Sequence, residues 1–275
     1  MWRGCSQFAT IVLRKSYKHK VNALAQTWQQ GNALVVGASQ GIGLGFVRHL
    51  LADDRFHRVF ATYRQPETAT DLLALQNHPK LHCLTLEATE EGEVAQLAAK
   101  IQAQAAGLDL VVNCVGVLHQ GSLQPEKSLR QIDVDQLMQY FQINSVPGIL
   151  LAKHLQSLLR QEGRTVFANL SAKIGSIEDN RLGGWYGYRA SKAALNMLLK
   201  TAAIEYGRKN PHTVILALHP GTTDTRLSEP FQRNVPPGKL FSIDRTVTQL
   251  LTIIDNATEA DNGAFFSWDG SRLPW

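Results

Sequence analysis

The stretch NALVVGASQGIGLG, residues 32–45, decides how the chain is read. Residues 32–36 form a short apolar run closed by glycine, as in a buried strand. Gly37, Gly41 and Gly43 follow with the spacing G-x-x-x-G-x-G, and apolar residues then recur as in a helix to about Leu51. A strand, a glycine turn and a helix in that order make an anion site. The glycines let the backbone turn tightly and approach a pyrophosphate, and the helix start offers free N–H groups at the positive end of its dipole.

The pattern repeats outward from this turn. Further strand-like runs are expected at 58–63, 80–86, 108–113, 164–170, 213–219 and 263–267, and helical stretches over 91–105, 131–160 and 185–208. Near-continuous apolar strands alternating with helices predict a parallel sheet covered on both faces. The expected fold class is α/β, one domain over residues 31–275 holding a doubly wound parallel sheet of about seven strands. Residues 222–241, rich in Thr, Pro and Gly, read as an irregular loop that covers a substrate.

Composition agrees with a globular domain: 275 residues, 44% hydrophobic and 19% charged, enough for a sizeable core. The net charge of +5 comes from Arg3, Arg14, Lys15, Lys18 and Lys20 in an acid-free segment, residues 1–30, which leaves the rest balanced. The excess therefore gives no sign of a nucleic-acid partner. Cys5, Cys83 and Cys114 are too scattered for a disulfide framework or a zinc site and read as free thiols, with no metal expected. No apolar run approaches the ~18 residues of a transmembrane helix. Residues 1–30 read either as a flexible extension or as an organellar targeting peptide, on a protein otherwise expected in the cytoplasm.

The end of the second strand selects the nucleotide. An acid there receives the ribose 2′-OH of NAD, whereas an Arg suits the 2′-phosphate of NADP. The run ends Thr62, Tyr63, Arg64 with no acid, and Asp53 and Asp54 fall before the strand. This points to NADP(H) in preference to NAD(H), with Arg64 as phosphate partner and Thr62 assisting.

Tyr188 and Lys192, in YRASK at 188–192, stand four residues apart and share one helix face. A phenol, with a pKa of about 10, is a poor base near neutrality. A neighbouring ammonium favours the phenolate and lowers that pKa. Ser171 follows the strand expected at 164–170, at the strand end where open parallel sheets hold ligands. Its hydroxyl suits a hydrogen bond to a carbonyl or alkoxide.

With these residues assembled, the chain resembles the short-chain dehydrogenase/reductase family over about residues 32–275. The resemblance rests on GASQGIG at 37–43, NCVG at 113–116, Asn144, Ser171, YRASK and the pair Pro220 and Gly221. It implies a Rossmann fold and an oxidoreductase interconverting a carbonyl and an alcohol. Tyr188 would be the general acid/base, and Lys192 would lower its pKa and bind the nicotinamide ribose. Ser171 would orient the carbonyl, and Asn144 would hold a water that relays protons through Lys192. Cofactor contacts would come from Ser39, Gln40 and Ile42 within the glycine turn, from Glu87 and Ala88 after the third strand, and from Asn113, Val115 and Gly116 after the fourth. Pro220, Gly221, Thr222, Thr223 and Thr225 would surround the nicotinamide amide.

Three departures stand out. NCVG replaces the usual NNAG, Glu87 replaces a common Asp, and 17 residues separate Ser171 from Tyr188, more than is usual. The segments SAKIGSIEDN at 171–180, GWYGYRASKAALN at 184–196 and WDGSRLPW at 268–275 look like the C-factor-like branch of small reductases, one member of which is associated with intercellular developmental signalling. The resemblance implies a small carbonyl or alcohol substrate, and a homodimer or homotetramer built through helices near 131–160 and 185–208. An alternative is a cofactor-gated binding or signalling protein that keeps the fold with little catalysis. Leu182, Trp185, Tyr186, Leu227 and Phe231 are candidates for an apolar substrate wall, and Arg181 or Arg226 for greeting an acidic substrate.

Overall fold

The computed structural model describes Trp28 and residues 30–275. Strands run β1 Gly31–Val36, β2 Phe56–Tyr63, β3 Leu81–Thr85, β4 Leu110–Asn113, β5 Thr165–Leu170, β6 Thr213–His219, β7 Thr222–Thr223, β8 Leu240–Phe241 and β9 Ala264–Ser267. Helices run α1 Gly41–Ala52, α2 Thr70–Leu73, α3 Glu91–Gln102, α4 Val134–Asn144, α5 Val146–His154, α6 Tyr186–Lys209 and α7 Ile243–Asn256. Seven strands form one parallel sheet, as the sequence predicts, in the order β3-β2-β1-β4-β5-β6-β9, and β7 and β8 pair separately. The order reverses between β1 and β4, the switch point where ligands of such sheets bind.

Alternate residues of each strand face opposite layers. Val35, Ala61, Val112, Ala168 and Leu216 meet Phe46, Val47 and Leu50 of α1 and Val247, Leu250 and Ile254 of α7. Leu34, Phe60, Val111, Phe167 and Ile215 meet Leu97 and Ile101 of α3, Leu151 of α5 and Leu195 and Leu199 of α6. Burial on both faces explains why the strands read as apolar runs rather than as alternating ones.

Three expectations need correction. The helix expected over 131–160 is two helices broken at Ser145, because Pro147 enters the first turn of α5 without an N–H to continue the ladder. Helix α7 has no counterpart in the expected elements, although Ser242 caps it by accepting from Arg245 N and Val247, Leu250 and Ile254 fall on one buried face. Trp28, placed by sequence in the extension, belongs to the core: its ring packs 5.5 Å from Phe56 and its Nε1 donates to Arg164 O at 2.9 Å. The rest of the 1–30 segment read as an extension or targeting peptide, residues 1–27 and 29, lies outside the described residues. Among the described residues no helix is long and apolar enough to cross a membrane, and no cluster of metal-ligating side chains occurs.

Candidate active site

The glycine turn leaves β1 at the switch point. Gly37 and Gly41 have φ of +78° and +56°, the region glycine tolerates. A side chain on Gly43 would collide with the carbonyl of Gly37, so that packing requires glycine too. Thr62 braces the turn from β2, its hydroxyl accepting from Gly37 N at 3.2 Å and its carbonyl from Ala38 N at 2.8 Å. Ser39 is half-buried and Ile42 packs on the core. Gln40, at the N-cap of α1, makes no side-chain capping bond, and no acid stands in the first turn. The helix start therefore keeps its positive end for an anion, and the cradle fits a pyrophosphate.

At the next strand ends the charges are paired. Arg64, half exposed, lies 3.6 Å from Glu87 Oε2. The other oxygen of Glu87 accepts from Thr89 N and Oγ1 at 3.2 and 2.9 Å, and Ala88 beside it is buried. Thr62 does not join this group as expected. It is buried, with its hydroxyl turned to the glycine turn.

Ser171, Tyr188, Lys192 and Asn144 are all buried and converge at the carboxyl ends of β4 and β5. Lys192 Nζ donates to Leu170 O at 3.0 Å and lies 6.0 Å from the centre of the Tyr188 ring. Asn113 Nδ2 donates to Asn169 Oδ1 at 3.0 Å, tying β4 to β5, and its Oδ1 accepts from Val115 N. A side chain on Gly116 would stand 3.2 Å from Lys192 Nζ and 3.3 Å from Asn144 Oδ1, so glycine brings the loop after β4 close against both groups. The amide of Asn144 is committed to protein: it accepts from Val117 N at 2.7 Å and donates to Val117 O and Ser191 Oγ, each at 3.0 Å. These three bonds clamp the loop after β4, and the second lone pair of Oδ1 stays open to a further donor.

Burial dominates the electrostatics. It holds Lys192 down at about 8, a value that the neighbouring Cys114 thiol works to raise. It pushes the Tyr188 phenol up, the reverse of the lowering expected from the ammonium alone. The thiol of Cys114 is likewise driven up by burial, against Lys192.

Two residues in the site escaped the sequence reading. Ser171 Oγ donates to Asn196 Oδ1 at 2.6 Å. Glu126, 3% exposed, accepts from Gly187 N through both carboxylate oxygens at 3.3 and 3.1 Å, while its carbonyl accepts from Trp185 N. It thus caps α6 one residue before Tyr188. The i+8 spacing from Tyr188 marks Asn196 in retrospect, whereas Glu126 is 61 positions from its partner and carries no local signal.

The loop over 222–241 folds onto this cleft. Gly221 has φ +74°, and a side chain there would meet the Phe241 ring at 2.6 Å, so the chain turns tightly after Pro220. Thr222 and Thr223 pair with Leu240 and Phe241. The buried Thr223 hydroxyl is 2.8 Å from Thr246 of α7, which anchors the loop and turns that side chain away from the cleft. The Thr225 methyl lies 3.4 Å from where a Cβ on Gly41 would stand, against the glycine turn. Phe231 meets Trp185 at 4.8 Å and His119 at 5.8 Å, edge to face, and Trp185 meets Tyr188 at 6.3 Å. Leu182, at 92% exposure, and the exposed Arg181 stand away from that wall.

Cradle, clamp and buried Tyr–Lys pair thus stand together at one edge of a doubly wound α/β sheet. Residues 31–236 match the family described as short chain dehydrogenase. The chain belongs to the short-chain dehydrogenase/reductase family. It is 30% identical over 247 residues to 1-hydroxy-2-glutathionyl-2-methyl-3-butene dehydrogenase of a Rhodococcus species, covering 88% of this chain and 98% of that one. It is 29% identical over 148 residues to C-signal of Myxococcus xanthus, covering 54% of this chain and 84% of that protein, in line with the C-factor-like resemblance. A solved structure of NADPH-bound carbonyl reductase from chicken fatty liver superposes with a TM-score of 0.80 at 29% identity, over 90% of this chain and 95% of that one.

Proposed function

We propose that the protein is an NADP(H)-dependent oxidoreductase that interconverts a carbonyl and an alcohol on a small molecule. The observation that carries the proposal is the burial of Tyr188 and Lys192 on one face of α6, with Lys192 Nζ bonded to Leu170 O, the residue before Ser171, and close to Gly116. When bound, the nicotinamide supplies the hydride. The turn at 37–43 receives the pyrophosphate, and Arg64 receives the 2′-phosphate in exchange for Glu87. Asn113, Val115 and Gly116 line the way to the ribose, and Pro220, Gly221 and Thr222 lie by the amide. Ser171 hydrogen-bonds the substrate oxygen, and Tyr188 gives or takes the proton at that oxygen. Lys192, charged below about 8, stabilises the phenolate that remains after proton donation. The raised phenol pKa suits an acid that holds its proton until a carbonyl arrives.

The test is turnover with Tyr188→Phe. NADPH oxidation over a panel of ketones, aldehydes and quinones should fall by about 10²–10⁴-fold. NADPH binding, read by cofactor fluorescence, should stay within about twofold, because only a neutral hydroxyl is lost and the ring remains. Full activity in the variant would sink the mechanism. The similarity to C-signal favours a second reading, a cofactor-gated binding protein with little catalysis. Tight NADPH binding with no Tyr188-dependent turnover would favour it.

A further inference from the structure

The proton of Ser171 is already engaged. Its hydroxyl donates to Asn196 Oδ1 at 2.6 Å, with the two residues 4% and 3% exposed. Asn196 stands four residues after Lys192 and eight after Tyr188, so the three share a face of α6. Its Nδ2 is buried and meets no partner. Buried amide groups are nearly always satisfied, so a half-used amide against the Ser171 hydroxyl calls for a reason.

The direction of this bond decides what Ser171 offers. A serine hydroxyl has one proton and two lone pairs. With that proton on Asn196, the oxygen presents only lone pairs and accepts from a substrate alcohol. A carboxamide has an acceptor and a donor of nearly equal shape. Turned over, Asn196 donates through Nδ2 to Ser171 Oγ, and the serine proton is released toward the cleft to meet a carbonyl or alkoxide.

We propose that Asn196 is a positioning residue that sets the hydrogen-bonding sense of Ser171, its amide serving the alcohol-bound state through Oδ1 and the carbonyl-bound state through Nδ2. The assignment rests on the oxidoreductase reading above. The amide accommodates both ends of one reaction, so its loss slows reduction and oxidation alike, because a catalyst leaves the equilibrium unchanged.

The experiment uses the full chain and a carbonyl that the wild type reduces. Asn196→Asp puts an acceptor-only carboxylate against Ser171 when ionised and a group able to donate when protonated. At pH 8 its kcat should be about 10²-fold below wild type, the scale of losing one donor to the reacting oxygen. The ratio of variant to wild-type kcat should climb as pH falls through the pKa of the new carboxyl, with NADPH affinity unchanged. Asn196→Leu, which neither donates nor accepts, should lower kcat about tenfold in the wild-type background. It should cost nothing further in Ser171→Ala, because the two residues act as one unit. This cycle decides the matter should Asn196→Asp fail to fold. A ratio independent of pH, or additive effects of Asn196→Leu and Ser171→Ala, overturns the assignment while leaving the oxidoreductase reading intact. A wild type that turns over no carbonyl, with Ser171→Ala equally silent, overturns that reading and this assignment with it.

Discussion

Ion pairing and burial at single residues lead to two predictions. Arg64 is held by Glu87 across 3.6 Å at half exposure, where an ion pair contributes about 0–1 kcal/mol. Glu87→Gln should therefore tighten NADPH binding by up to about fivefold. Arg64→Asp should weaken it by about 10–100-fold, the scale of a charged hydrogen bond, and leave NADH binding much less affected. Fluorescence titration with both nucleotides checks this, and an unchanged NADPH/NADH ratio would remove Arg64 from the site. Lys192 gives a prediction about pH. Its pKa is depressed from 10.5 to about 8 by burial, so the folded state binds fewer protons than the unfolded chain between those values. The cost of burying its charge is fully present below about pH 8 and relaxes as pH rises toward 10.5. Lys192→Met should accordingly exceed wild-type stability at pH 7 by on the order of 1–3 kcal/mol, with the gap narrowing by pH 9.5. Urea melts at the two pH values read this directly. The Tyr–Lys pair was legible because helical periodicity puts i and i+4 on one face. Asn196 was not, because only the approach of β5 to α6 reveals that Ser171 spends its proton there.

Local rules worked at the level of elements where an element satisfies its own backbone, and failed where a distant group intervenes. The seven strands of the main sheet match their expected bounds within two residues, since runs buried on both faces carry a strong apolar signal, whereas the short β7 and β8 lie in the stretch read as an irregular loop. The break at Ser145 follows from Pro147, a local cause, and the broken ladder lets Ser145 Oγ donate to Ser191 O at 2.7 Å, pinning α5 against α6. The start of α6 is different. Trp185 is left-handed, at φ +53°, after two glycines that also have positive φ, and the carboxylate that closes this turn comes from Glu126, far back in the chain. Glu126→Ala should leave Gly187 N–H buried and unpaired and remove a negative charge from the positive end of α6, at a cost of about 1–3 kcal/mol. At 2–4 °C per kcal/mol for a domain of this size, Tm should fall by about 2–12 °C, and kcat should fall with it because Tyr188 sits in that first turn. A melting curve and turnover at a temperature where the variant is folded separate the two effects. A variant equal to wild type in both would show that the cap positions nothing.

The whole molecule leaves apolar surface uncovered on two neighbouring helices. Val134 and Met138 of α4, and Met197 and Ile204 of α6, are more than half exposed and lie at helical spacing. The homo-oligomer expected from sequence would bury these side chains if it assembles through α4 and α6. Met197→Glu should reduce the particle to a monomer of 30.4 kDa by sedimentation velocity, without loss of secondary structure. A wild type already monomeric at micromolar concentration would dismiss the assembly. By itself the sequence determined the parallel α/β class, the seven strands, the glycine cradle and the Tyr–Lys face, because each is written in neighbours a few residues apart. Only the tertiary structure decided the environment of those groups: burial that raises the phenol and lowers the ammonium, the Glu87 partner of Arg64, the commitment of Asn144 to its loop and the docking of Trp28. These depend on which surfaces meet, and chain segments far apart in sequence come into contact only when the sheet closes its two layers.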